Sequence, residues 1–119
     1  MQPSGPLTPA ELTELESTLL PALERHHLRL LAHGLRTLQA IAGQCGGPLP
    51  SIDAIADWVS QQPSLAGDPD FQQAFTTQLG HTAAQLEGVA ASRGCAPLAL
   101  ELADLCAWAV GQADARLRP

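Results

Sequence analysis

The 119-residue chain contains no lysine and no tyrosine. The first absence removes Schiff-base chemistry and the phosphate-gripping lysine of a P-loop, and the second removes a phenolic general acid. Cysteine is limited to Cys45, Cys95 and Cys106, an odd number, far apart and without a C-x-x-C pair. A disulfide framework and a cysteine zinc site are therefore disfavoured, and a reducing, cytoplasmic setting is the expectation. Positive charge is also scarce: six arginines stand against twelve acids, for a net charge of -6. A general nucleic-acid binder is disfavoured on that ground, because neutralising phosphates requires clustered cations. No run reaches the ~18 apolar residues of a membrane span. The opening "MQPSGPLTPA" has neither the basic nor the apolar region of a signal peptide, so no membrane insertion is expected.

What is present is chiefly alanine and leucine. The hydrophobic fraction of 45% is ordinary for a folded chain, and the length suits one modest core. "LTPAEL" reads as a helix start: Thr8 caps, Pro9 fills the first turn and Glu11 completes a capping box. The apolar pattern then runs to about Ala42 and stops at "GQCGGPLP", with Pro21 imposing a kink or short break on the way. Ser51 opens a short second helix carrying Ile52, Ile55, Trp58 and Val59. Asp68 and Pro69 open a third, with Phe71, Phe75, Leu79, Leu86 and Val89 as its apolar stripe until "SRG". A fourth starts at Pro97, with Leu98, Leu102, Leu105, Ala109 and Ala113 facing inward. No segment alternates with period two over a useful length. The expectation is an all-α fold: a four-helix bundle whose first helix is long and kinked near Pro21 and whose second is short. Residues 1–7 are expected as a flexible tail and 8–119 as a single helical-bundle domain.

Candidate site residues come from "ERHHLRLLAHGLRTLQAIAG", residues 24–43. At about 100° per residue, Leu23, Leu28, Leu30, Leu31, Gly34, Leu35, Leu38 and Ile41 form a broad arc expected to face the core, with His27 packed inside it. His26, Arg29, His33 and Arg36 share the opposite face at spacings of three, four and three. This stripe suits a phosphate or an acidic partner through bidentate arginine contacts, a solvated face, or internal pairing with acidic helices. On the fourth helix Trp108 sits beside Glu101, Asp104 and Gln112, where a tryptophan serves as an interface anchor or lies under a neighbouring helix. Gly80, Ala84 and Gly88 leave a shallow strip on the third.

Metal binding finds little support. His26 and His33 lie about 10 Å apart along the helix axis, and H-E-x-x-H is absent. No metal and no cofactor are expected. Cys45 has no cationic neighbour to lower its pKa, and Ser51 and Thr8 are explained as caps.

Read letter by letter, "AHGLRTLQAIAG" resembles the H-box of sensor histidine kinases, whose pattern runs roughly S-H-E-L-R-T-P-L-x-x-I-x-G. His33, Leu35, Arg36, Thr37, Leu38, Ile41 and Gly43 match once the proline is deleted. The resemblance implies that His33 accepts phosphate from a solvent-facing position. Gly34 stands where that family has an acidic residue, and about a dozen residues are covered.

The expected function is that of a non-catalytic interaction or regulatory protein, an adaptor or assembly protein working through protein-protein contacts. The surface would be His26, Arg29, His33, Arg36 and Trp108; the partner is a protein, with acidic character suited to the stripe, or a second copy in a homodimer. The alternatives are a histidine phosphotransfer element using His33 and a binder of a small ligand, metal or haem.

Overall fold

A computed structural model describes residues 7–18 and 20–117 of the chain. Among them there are five α-helices and no strand: α1 (Pro9–Glu16), α2 (Ala22–Ala42), α3 (Ile52–Ser60), α4 (Pro69–Arg93) and α5 (Leu102–Leu117). Single 3₁₀ turns at Pro63–Leu65 and Pro97–Ala99 precede α4 and α5.

The helix starts follow the local chemistry read from the sequence. Thr8 accepts from the Glu11 amide while the Glu11 carboxylate accepts from the Thr8 amide, at 3.1 and 3.0 Å, so two otherwise orphaned donors are satisfied reciprocally. The Ser51 and Asp68 side chains cap α3 and α4 by accepting from Ala54 and Phe71, each at 3.1 Å. Gly43 and Gly94 end α2 and α4 with φ of 72°, a left-handed conformation that costs glycine no Cβ clash.

The long, kinked first helix is corrected to two helices. Pro21 has no amide hydrogen, and its ring would strike the carbonyl of Ser17, so α1 stops at Glu16. The Ser17 and Thr18 hydroxyls turn back onto the Glu14 and Leu15 carbonyls at 2.7 and 3.0 Å, closing the helix end. The released helix folds back against α2 and α5. Leu7, which the sequence reading gave to the tail, is 2% exposed and belongs to the core; residues 1–6 lie outside the described residues.

The start of the last helix also moves. Leu98 and Leu100 are both fully buried, yet in one continuous helix they would point about 200° apart. The turn at Pro97–Ala99 lets both enter the core, and α5 begins only at Leu102, its first turn tied by the Glu101 amide donating to Asp104 Oδ2 at 2.9 Å.

The core is built where α2 crosses α4 and α5, with α3 closing over α4. Leu28, Leu31, Ala32, Leu35 and Leu38 meet Leu79, Leu86, Val89, Leu102 and Leu105 there. Gly34 is buried at the α2–α4 crossing, and a methyl group on it would collide with Thr82 Cγ2, so the two helices lie closer than any larger residue permits.

Candidate functional site

The buried face of α2 is not the one the leucine pattern suggests. Ala32 and Gln39 are buried, whereas Leu23 is 63% and Leu30 46% exposed, so the buried arc is turned by about 40° from the expected one. His27, expected among packed leucines, is exposed with them. The rotation of α2 has a cause on its other flank, where α1 and the turn before α5 hold the helix by polar contacts. Arg29 pairs with Glu16. Arg36 donates to Glu11 Oε2 through Nε and Nη2 at 3.2 and 2.6 Å, and through Nη1 to Gln39 Oε1 at 2.9 Å. Gln39, 6% exposed, passes the chain on by donating from Nε2 to the Leu98 carbonyl at 2.9 Å.

Two of the four residues in the basic stripe are therefore engaged inside the molecule. Arg29 and Arg36 fasten α1, which leaves them unsuited to carry an acidic partner by themselves. His33 lies between them and is half-buried; desolvation, and then the Arg29 charge, hold its imidazole pKa below the ordinary value. Only His26 of the four is exposed, with its ring 6.3 Å from that of His27. Glu11 is held below the usual carboxylate range: the hydrogen bond from the Thr8 amide lowers it most, desolvation by burial opposes this, and Arg36 lowers it further. Among the described residues no three His, Cys, Asp or Glu side chains gather as a metal site requires. Cys45 and Cys95 are exposed, while burial and then the Glu14 charge push the half-buried Cys106 thiol up, away from thiolate reactivity.

A different surface brings apolar groups together. A groove of about 390 Å³ opens between the N-terminal half of α2, the middle of α4 and the C-terminal half of α5. Leu28, Leu31 and Ala109 form its floor, and Leu30 and His27 its α2 edge. Gln78 and Gln85, two turns apart on α4, and Gln112 on α5 supply its polar margin. Trp108, half-buried against the core, forms part of the α5 wall, so the sequence-predicted anchor lies here, away from the basic stripe. At one end Arg116 Nη2 pairs with Glu24 Oε1 at 3.0 Å, joining α5 to α2. Leu23 continues the exposed apolar edge one turn before His27.

Sequence reasoning missed the glutamines and the Glu24–Arg116 pair. The seven-residue spacing of Gln78 and Gln85 places them on one face of a helix, but nothing local shows that α5 brings Gln112 opposite. Along the Gly80, Ala84 and Gly88 strip, a Cβ at Gly80 would lie 3.5 Å from Ile52 Cδ1, and one at Gly88 would meet nothing within 4 Å.

Such a groove can hold an apolar side-chain row and exchange hydrogen bonds at its margin. No helix among the described residues is long and apolar enough to cross a membrane. No curated protein and no solved structure matches the chain. The family model of the NDH complex assembly factor CRR9 matches residues 7–116, which is most of the chain, and the protein belongs to that family.

Proposed function

We propose that this chain is a non-catalytic assembly factor that works from the aqueous phase, holding a protein component of the NDH complex through the α2/α4/α5 groove while that complex is put together. Family membership supports an assembly role carried out by protein contacts. The single observation that supports this contact is the exposed apolar edge of α2: among the described residues, Leu23 and Leu30 stand 63% and 46% exposed beside a groove walled by Trp108. A folded chain gains nothing from leaving two leucines and a tryptophan in partial contact with water, and grouped exposure of this kind marks interaction surfaces. The helices from Thr8 onward act as one unit in this reading, with α1 serving to set the rotation of α2. Trp108 is the anchor in this reading, and His26 lies on the adjoining face.

The test is removal of the chain from its host, with complexes resolved on a native gel. The mature NDH complex is expected to fall while its separately folded parts persist, and restoring the wild-type chain is expected to recover it. An NDH complex of unchanged amount and activity in the chain's absence overturns the assembly role.

A further inference from the structure

We propose that the groove receives a short amphipathic helix of the partner protein whose docking face is apolar and without net charge. The assembly reading enters only in making the occupant part of a protein. Leu23, His27 and Leu30 follow one another at spacings of four and three, so they form a straight edge along α2. The groove extends from Glu24 to Leu31 on α2 and from Gln78 to Gln85 on α4, which is about 10 Å, or two turns of a docked helix. An amphipathic helix fits such a seat by inserting apolar residues at intervals of three and four.

The charge pattern decides what kind of helix. Glu24 and Arg116 neutralise one another at 3.0 Å, and the other polar groups of the margin are the carboxamides of Gln78, Gln85 and Gln112 and the His27 imidazole, with no carboxylate or guanidinium left over among the described residues. A lysine or aspartate on the docking face would shed water without meeting an opposite charge. Serine, asparagine or glutamine flanks, in contrast, can exchange hydrogen bonds with Gln78, Gln85 and Gln112. A basic helix is drawn elsewhere, because residues 37–80 contain four aspartates and no basic residue. A second copy is the poorer occupant, since each chain brings a net charge of -6 and two such bodies repel.

The probes are three synthetic helical peptides of about four turns, alike in a leucine row and differing in glutamine, lysine or glutamate at the flanking positions. They are titrated into the isotopically labelled full chain and followed by amide and indole resonances. The glutamine peptide is expected to shift Leu30, Thr82, Ala109 and the Trp108 indole saturably, with Leu30→Asp weakening it about tenfold or more and Asp57→Asn leaving it unchanged. Gln85→Ala, at an exposed position, is expected to weaken it less. The proposal is overturned if the glutamine peptide leaves those resonances in place, if the lysine or glutamate peptide binds them as tightly, or if sedimentation shows a dimer that Leu30→Asp dissociates. Failure of the peptide while removal of the chain still depletes the NDH complex discards the groove occupant alone; binding by the peptide with an undiminished complex discards the assembly role alone.

Discussion

The absence of one methyl group, at Gly34, sets the distance between α2 and α4. Alanine there gains about 1 kcal/mol of helix propensity but drives its Cβ into Thr82 Cγ2, and overpacking of that kind costs about 1–3 kcal/mol. Gly34→Ala is therefore expected to lower the melting temperature, and adding Thr82→Ser, which removes the obstructing methyl, is expected to restore it; a Gly34→Ala chain at least as stable as wild type would refute the close approach. Glu11 is the second residue with a disproportionate role, since its two oxygens serve the α1 cap and Arg36. Its carboxyl pKa is lowered in the folded state, so its contribution is present above the ordinary carboxylate pKa and lost as pH falls through the lower folded value. His33 acts in the same direction. Its folded pKa lies below the ordinary imidazole value, so the unfolded chain takes up the proton first and stability begins to fall below about pH 6.5. Melting temperature is expected to decline in two stages on acidification. Glu11→Gln should lower it at neutral pH and flatten the second stage; an unaltered acid limb would refute the assignment. The cap at Thr8 and Glu11 was legible because its partners are three residues apart. Gln39 was not, because the Leu98 carbonyl that it reaches is 59 residues away.

At the scale of the helix, α2 shows how a hydrophobic pattern and a buried face part company. Leucines cover a wider arc of it than α4 and α5 can shield, and the wheel cannot say which edge of that arc is left out. Polar ties decide: Arg29 to Glu16, Arg36 to Glu11 and Gln39 to Leu98 lie on one flank and hold α2 rotated so that Leu23, His27 and Leu30 emerge on the other. Leu35 and Leu30 then differ sharply in spite of their shared chemistry. Leu35→Ala is expected to cost about 2–5 kcal/mol, since its side chain is fully enclosed, whereas Leu30→Gln should stay within about 0.5 kcal/mol of wild type. Denaturant unfolding of the two variants checks this, and an equal loss for both would mean that Leu30 is packed. The division at Pro21 was legible as a kink or break. That it became a reversal followed from the acids of α1 finding the arginines of α2.

For the whole molecule, the arginines and acids are distributed between two tasks. Among the described residues four arginines are used in ion pairs, two of them joining α1 to α2, one joining α4 to α5 through Asp104 and one joining α2 to α5 through Glu24. Pairs that remain in contact with solvent each contribute about 1 kcal/mol or less, so their importance lies in orientation more than in stability. What they orient is a neutral apolar groove on a body that is otherwise acidic. In a host lacking the chain, Leu30→Asp is expected to accumulate as a folded protein yet fail to restore the NDH complex, whereas Asp57→Asn should restore it. Recovery of the complex to wild-type level by Leu30→Asp would remove the groove from the assembly role.

The sequence by itself determined the helical class, the capped starts of α1, α3 and α4, the glycine stops of α2 and α4, and the stripe of α4 from Leu79 to Val89. All of these depend on residues within about one or two turns of each other, where spacing alone fixes geometry. Tertiary structure decided the reversal of α1, the rotation of α2, the 3₁₀ turn that admits both Leu98 and Leu100, and the meeting of Trp108 with Leu30 and the glutamines across three helices. Those outcomes turn on contacts between distant segments, where an arginine in a polar stripe can equally face water, a partner or an acid on another helix, and only packing selects among them.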